Sequence, residues 1–288
     1  MKAVVLHETG GPKKLQIESL DIPEPARGQV RIKLRCAALN RRDVWITLGA
    51  YPKIEFPAIC GSDGAGVVEK CGPGVNTQLI GKECVLYPAL NWGDDPKCGG
   101  PDFRVLGMPE QGTFAEYICV PTSSVFPKPT HLSWEAAAAL PLAGLTSWRA
   151  TFSQGELKPD ETILITGIGG GCATFVLQWS TALGAMAYVT SSKEDKLKKA
   201  QEIGAKLGFN YKKEDWERDA KKSSGGFDLI IDSGGGSGLN RLLDILKPGG
   251  RYVFFGATQG DAEEGLSMAK LFFKQIRIQG STMGSEQE

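Results

Sequence analysis

At 288 residues the chain is long for a single core and comfortable for two domains. Lysine plus arginine and aspartate plus glutamate number 33 each, and no basic patch interleaved with aromatics occurs, which excludes nucleic acid and anionic membrane as expected partners. The N-terminus turns polar by His7, no apolar run is long enough to span a bilayer, and seven cysteines without a Cys-x-x-Cys pair fit a reducing compartment, so the expected location is cytoplasmic.

Residues 2–6 and 15–20 read as strands, and Pro23 with Pro25 breaks the chain before its clearest alternation. There Val30, Ile32, Leu34 and Cys36 are set to face one way and Arg31, Lys33 and Arg35 the other, the pattern of a half-buried strand. Asn40-Arg41-Arg42-Asp43 opens a short helical turn through Leu48, closed by Gly49 ahead of Tyr51-Pro52. Gly61-Ser62-Asp63-Gly64-Ala65-Gly66 leads into a strand at 67–70, and further strands are expected at 83–87 and 115–120. Residues 88–112, crowded with Gly, Pro, Asn and Asp, read as a long surface loop. Pro127, Pro129 and Thr130 mark a linker, after which Ser133 caps an alanine-rich helix over 134–140; Pro141 is expected to end it, and 144–152 to form the next. The chain therefore divides into a strand-rich domain, 1–126, and a second domain, 127–288.

The second domain opens on Thr162, Ile163, Leu164 and Ile165, followed by Gly167, Gly169, Gly170 and Gly171 and an amphipathic helix. A buried strand, a glycine turn and a helix N-terminus together direct backbone N–H groups and the positive end of a helix dipole at a point where a pyrophosphate fits. Glycine turns between strand and helix also arise for purely steric reasons. Phe175, Trp179 and Leu183 fall on one helical face, the face expected to pack on a sheet. Downstream, strands at 187–190, 207–211, 228–232 and 251–256 alternate with helices at 194–204 and 239–246, with a turn at Pro248-Gly249-Gly250. That alternation is the pattern of βαβ units, so an α/β fold with a doubly wound parallel sheet is expected.

Taken together, Ala38-Leu39-Asn40-Arg41-Arg42-Asp43, Gly49-Ala50-Tyr51-Pro52, Gly61-Ser62-Asp63-Gly64-Ala65-Gly66, Gly112-Thr113-Phe114-Ala115-Glu116-Tyr117 and the glycine loop resemble the medium-chain dehydrogenase/reductase superfamily, and within it the zinc-independent quinone oxidoreductase branch. The resemblance implies a GroES-like β-rich domain before a Rossmann domain, with the active site in the cleft between them, and it places the nucleotide-loop pattern on Gly167, Gly170 and Ala173. Alcohol dehydrogenases of this superfamily hold catalytic zinc with a cysteine and a histidine from the two early motifs; those positions are here Asn40 and Ser62, and the only histidines, His7 and His131, lie in no motif. No metal is expected. The strand end Val189-Thr190-Ser191-Ser192-Lys193 carries hydroxyls and a lysine where NAD enzymes place an acid, which points to NADPH; the alternative is that Ser192 only caps the next helix. Tyr211 resembles the family tyrosine near the adenosine phosphate, or else is an ordinary strand-end aromatic.

The nucleotide site implied by the resemblance comprises Thr146, Gly167, Gly169, Gly170, Gly171, Cys172, Ala173, Ser192, Lys193, Tyr211 and Gly256. For chemistry the candidates are Asn40, as a hydrogen-bond partner of a carbonyl, and Tyr51, as a proton donor, with Ser62 nearby and Asp43 expected to pair with a neighbouring arginine. The activity implied is NADPH-dependent reduction of a small-molecule quinone or α,β-unsaturated carbonyl; the alternative is a dinucleotide-binding redox sensor or crystallin-like protein with little turnover. Family members continue past a strand at 276–280 with segments that return to complete the first domain, so this sequence is expected to be either a fragment or a shortened member whose first domain has an unpaired sheet edge; a homodimer formed through 276–280 is also expected.

Overall fold

The computed structural model describes every residue except Lys53, Glu263 and Glu264. It contains two compact units, Met1–Ala143 with Gly284–Glu288, and Gly144–Met283. The division lies after Ala143 and not at 126/127 as expected, because Ala137 and Ala138 are buried with Ala65 and Val85 of the first unit. Among the described residues no helix is long and apolar enough to cross a membrane.

In chain order the first unit contains β1 (Lys2–Leu6), β2 (Leu15–Ser19), β3 (Gln29–Ala38), α1 (Arg41–Thr47), β4 (Ala58–Ile59), β5 (Asp63–Cys71), β6 (Glu83–Leu86), β7 (Ala89–Leu90), β8 (Arg104–Val105), β9 (Tyr117–Pro121), β10 (Val125–Pro127) and α2 (Trp134–Ala138). The antiparallel sheets run β2-β1-β4 and β10-β6-β5-β3-β9, so β9 and β10 are edge strands. The alternation along β3 is interrupted: its register against β5 shifts between Arg31 and Ile32 and again between Leu34 and Cys36. Val30 and Ile32 therefore pack with Val68, Leu86 and Ile118, whereas Cys36 packs with Ala65 and Ala137. Arg31 is buried as well, since Glu24, Glu69 and the Pro23 carbonyl take its guanidinium. The last four residues of the glycine motif, Asp63 to Gly66, lie inside β5 and do not merely precede it; a Cβ on Gly66 would sit 2.4 Å from the Lys33 carbonyl oxygen. Residues 88–112 are likewise more than a surface loop, because β7 pairs with β8 and Leu90, Trp92, Leu106 and Met108 are buried.

The helix α3 (Pro141–Trp148) starts at Pro141, which was expected to end α2; proline at a first helical turn forfeits no intrahelical hydrogen bond. A π-helical turn, Arg149–Gln154, continues it. The second unit then runs β11 (Thr162–Ile165), α4 (Gly171–Leu183), β12 (Met186–Ser191), α5 (Glu194–Glu202), β13 (Leu207–Asn210), α6 (Trp216–Ser224), β14 (Phe227–Asp232), α7 (Leu239–Ile245), β15 (Leu246–Phe254), α8 (Met268–Lys274) and β16 (Arg277–Gly280). Its six strands form one parallel sheet in the order β13-β12-β11-β14-β15-β16. Successive residues of each strand serve opposite faces. Ile163, Ile165, Leu229 and Ile231 bury against Val176 and Leu177 of α4 and Leu197 of α5, while Leu164, Ile230 and Tyr252 bury against Trp216 of α6 and Leu242 of α7. On α4 the sheet-facing residues are Ala173, Val176, Leu177 and Ser180; Phe175 and Trp179, expected there, form an aromatic cluster with Trp148 and Phe152. The expected turn at 248–250 is a bulge within β15, between the residues paired with Phe227 and Leu229.

Candidate functional site

In the second unit β12 lies on one side of β11 and β14 on the other, so the strand order reverses at the carboxyl ends of β11 and β14, where parallel α/β sheets leave a crevice. The loop leaving β11 lies at that end. The Ile168 N–H donates to the Thr190 carbonyl at 2.8 Å, the Gly167 N–H to Thr190 Oγ1 at 3.2 Å, and both Gly167 and Gly169 adopt positive φ, +67° and +100°. Gly170 is different. It is the N-cap of α4 in an ordinary extended conformation, φ −85°, and a Cβ there would meet nothing closer than the Gly167 carbonyl at 3.7 Å. The protein's own packing does not require glycine at 170, whereas an anion at the helix N-terminus would.

The residues after β12 gather near those after β13, because Ser191 pairs with Asn210 and its carbonyl accepts the Tyr211 N–H at 3.2 Å. Ser192 is half-buried, Lys193 is exposed and caps α5, and Tyr211 is 39 % exposed with the Lys212 ammonium 5.8 Å from its ring centre. The turn is tied by Ser191 Oγ, which accepts the Lys193 N–H; Ser192 is not the N-cap. The sequence reading passed over Lys196. Its Nζ lies 2.9 Å from the position a Gly169 Cβ would take, so its side chain reaches back from α5 over the glycine loop. The signal was available in its place one helical turn beyond Lys193. Glu194 accepts a hydrogen bond from Asn210 Nδ2 at 3.0 Å and pairs with Lys213 at 3.5 Å.

Other expected nucleotide residues serve the loop from behind. Ala173 is buried in the core beneath α4, where its small size lets helix and strand approach, and so it presents no surface to a ligand. Thr146 is also buried, with its hydroxyl against Met283 Sδ at 4.0 Å, whereas its neighbour Ser147 donates to the Cys172 carbonyl at 3.0 Å in the first turn of α4. Gly171 is exposed and Cys172 half-buried. Gly256 is a packing glycine, since its Cβ would lie 3.1 Å from the Ser233 carbonyl. Beside it, buried Asp232 organises the turn after β14 by accepting the Thr166 and Tyr252 hydroxyls and the N–H groups of Gly234 and Gly235. Burial of the Tyr252 phenol, and then the charge of Asp232 and the hydrogen bond to it, hold that phenol far above its ordinary range.

In the first unit Asn40, Asp43, Tyr51 and Ser62 come together around Arg42. The Arg42 guanidinium is buried; it donates to Ser62 Oγ, to the Leu106 carbonyl at 2.7 Å and to the Met108 carbonyl at 3.0 Å, and it lies 5.1 Å from the centre of the half-buried Tyr51 ring. The charge of neighbouring Arg42 acts on Asp43, as expected, but the hydrogen bonds to its carboxylate come from the N–H groups of Asn40, at 2.7 Å, and Gly61, at 3.3 Å, closing the N-terminus of α1. Burial pushes its carboxyl up. The residue the sequence reading did not single out is Asp63, 1 % exposed, which accepts Asn40 Nδ2 at 2.8 Å and the Leu142 N–H at 2.7 Å, and which burial pushes up to about 7. Burial also pushes the Cys60 thiol up to about 11, which leaves it a core side chain rather than a nucleophile.

A zinc ion does not fit this cluster. Asn40 and Ser62 supply no thiolate or imidazole, and Ser62 Oγ already receives a guanidinium cation. Among the described residues no group of three or more His, Cys, Asp or Glu is placed to hold a metal.

Comparison with known proteins agrees with this architecture. Residues 26–130 match the alcohol dehydrogenase GroES-like domain, and 171–288 match the zinc-binding dehydrogenase family. The zinc-type alcohol dehydrogenase-like protein YogA of Leptosphaeria maculans is 38 % identical over 95 % of this chain and 80 % of its own length. Quinone oxidoreductase 1 of Escherichia coli is 29 % identical over 89 % of this chain and 73 % of its own. The crystal structure of an NAD-dependent alcohol dehydrogenase superposes with a TM-score of 0.94 at 35 % identity, covering all of this chain and 86 % of that one.

Proposed function

Because this chain belongs to the medium-chain dehydrogenase/reductase superfamily, we propose that it is an NADPH-dependent oxidoreductase that reduces a quinone or an α,β-unsaturated carbonyl without a metal. Oxidoreductases recur among the similar proteins, quinone oxidoreductase 1 among them, and one similar structure is that of an NAD-dependent alcohol dehydrogenase. The observation that carries the nucleotide part is Gly170, a glycine at a helix N-terminus that the protein's own packing does not require. The N-terminus of α4 would hold the pyrophosphate and Tyr211 the adenosine end, with Lys196, and to a lesser degree exposed Lys193, favouring the additional 2′-phosphate of NADPH.

When bound, the dinucleotide supplies the hydride. The chain's own contribution is to orient the acceptor and to stabilise the oxygen on which charge develops, for which an Asn40 N–H is suited. Tyr51, half-buried with the Arg42 guanidinium against its ring, carries the hydroxyl suited to give a proton to the reduced product. The exposed edge of β16, beside exposed Phe272 and Phe273, supports a homodimer in which two copies pair through that strand.

The test is a titration of NADPH and NADH by nicotinamide fluorescence, followed by NADPH oxidation with a panel of small quinones and enones. NADPH is expected to bind at least about tenfold more tightly than NADH and to be oxidised by at least one of the panel. Preference for NADH, or no turnover of any acceptor, overturns the corresponding part of the reading. Light scattering that finds only monomer at high concentration overturns the dimer.

A further inference from the structure

Tyr51 lies in a stretch that the backbone does little to hold. The last backbone hydrogen bond before it runs from the Ala50 N–H to the Trp45 carbonyl at 2.9 Å; the next fixed point among the described residues is the Pro57 carbonyl, which accepts Gln111 Nε2 at 3.1 Å. Among the described residues Tyr51 itself makes no hydrogen bond, through its backbone or its hydroxyl. Its ring is held instead. It packs on the cluster of Leu6, Ile46, Ala58, Cys60 and Met108, and the Arg42 guanidinium lies over it, 5.1 Å from its centre. Arg42 is in turn fixed by three neutral acceptors: Nη1 donates to Ser62 Oγ and to the Leu106 carbonyl at 2.7 Å, and Nη2 donates to the Met108 carbonyl at 3.0 Å. These acceptors set the plane of the guanidinium. No carboxylate among the described residues is in ion-pair contact with it, so its charge is not cancelled where it meets the electron-rich face of the ring.

We propose that Arg42 is a positioning residue: it holds the Tyr51 ring by one face and so keeps the unpartnered phenol hydroxyl in place to give a proton to the reduced acceptor. This rests on the reductase reading above, in which Tyr51 is the proton donor. The step served is a single proton transfer. The Tyr51 Oη–H bond breaks, the proton passes to the anion that hydride addition leaves on the acceptor, and the phenolate takes a proton back from water. Lysine does not replace the arginine here, because an ammonium is a point charge without the planar fork that lies on a ring and reaches several acceptors at once. Phenylalanine at 51, by contrast, keeps the ring face that the guanidinium holds and loses only the proton. The two substitutions therefore separate the anchor from the group it positions.

The experiment is a double-mutant cycle on the full chain, with kcat and KM for quinone reduction measured in the wild type, Arg42→Lys, Tyr51→Phe and the double variant. Arg42→Lys is expected to lower kcat about tenfold with KM within about twofold, and Tyr51→Phe to lower kcat about a hundredfold. The double variant should be no slower than Tyr51→Phe. An Arg42→Lys loss of the same size in both backgrounds overturns the proposal, because Arg42 then acts through something other than Tyr51, the fold included. Wild-type kcat in Tyr51→Phe removes the proton donor and the proposal with it. The contact is also read without altering Arg42, since guanidinium N–H protons held over a ring face are shifted upfield in 15N–1H NMR. That shift is expected in the wild type and in Tyr51→Phe and is expected to vanish in Tyr51→Leu. Arg42 signals that are the same in the wild type and Tyr51→Leu overturn the proposal even where Arg42→Lys does not fold. Ring-dependent Arg42 signals in a protein that reduces no quinone or enone support the anchor and overturn the reductase reading instead.

Discussion

Two glycine-rich motifs sit at the centres of the two units, and they use glycine for different reasons. In Gly61-Ser62-Asp63-Gly64-Ala65-Gly66 the protein itself fills the space: a Cβ on Gly61 would lie 2.5 Å from the Phe114 ring, one on Gly64 2.8 Å from Leu34 and one on Gly66 2.4 Å from the Lys33 carbonyl. In the loop at 167–170, Gly167 and Gly169 answer a backbone demand, and Gly170 answers neither a steric nor a conformational one. Motifs of similar composition thus separate into one shaped by internal packing and one left open, and the open one is where a ligand has to be sought.

The largest effect expected from this contrast is at Gly66. A methyl group 2.4 Å from a carbonyl oxygen in the middle of β3–β5 pairing has no flexible neighbour to displace, so Gly66→Ala should cost more than about 4 kcal/mol and prevent folding at 37 °C. Circular dichroism and urea denaturation check it; a variant with wild-type stability would erase the distinction between the motifs.

Asp63 extends the contrast to electrostatics. Its carboxyl is raised in the folded protein above its ordinary 3.8, so the stability it contributes is complete below that value and is lost as pH rises through about 7. The change corresponds to about 4 kcal/mol at most, and Asp43, also raised by burial, acts with the same sign. Urea midpoints should therefore fall from pH 5 to pH 8, and fall much less in Asp63→Asn. The difference between the two curves isolates Asp63, and identical curves would show that the buried carboxyl does not titrate in that window.

Gly170→Val comes next. The side chain fits the protein, with no atom nearer than 3.7 Å to its Cβ, but it occupies the approach to the α4 N-terminus. Stability within about 1 kcal/mol of wild type and a loss of at least about a hundredfold in NADPH affinity are expected. Unchanged affinity in the folded variant would move the nucleotide site elsewhere.

These effects differ in how readily a sequence shows them. The parallel sheet was legible because strands such as 162–165 and 228–232 are continuously apolar and separated by helical patterns. Asn40 and Tyr51 were singled out as motif residues, and the structure sets Tyr51 on the Arg42 guanidinium and Asn40 on Asp63. Asp63 was not, although it lies in a quoted motif, because its role depends on Asn40 and Leu142, and Leu142 is distant in the chain. The true start of α3 at Pro141 was hidden for a similar reason: proline ends one helix and begins another equally well, and only the packing of α2 decides. Ala173 and Gly256 were legible as small residues, but sequence does not distinguish a residue that touches a ligand from one that lets backbone approach backbone.

The smallest expected effect separates two lysines. Sequence spacing favoured Lys193 as the partner of the 2′-phosphate, but in the structure it is exposed, whereas Lys196 is half-buried and lies over Gly169. An exposed ammonium is screened by water and salt and is worth about 0.2–1 kcal/mol, so Lys193→Ala should weaken NADPH binding about two- to fivefold. The less exposed Lys196, making a charge-assisted hydrogen bond, should be worth more: Lys196→Ala is expected to cost about tenfold for NADPH and less than about twofold for NADH. Titration of both nucleotides against both variants, at low and high salt, settles the order. Equal losses of NADPH and NADH in Lys196→Ala would mean that this lysine serves the pyrophosphate common to both. A larger loss in Lys193→Ala would return the 2′-phosphate to the residue the sequence favours, and Lys196 would then be only a lysine resting on the loop.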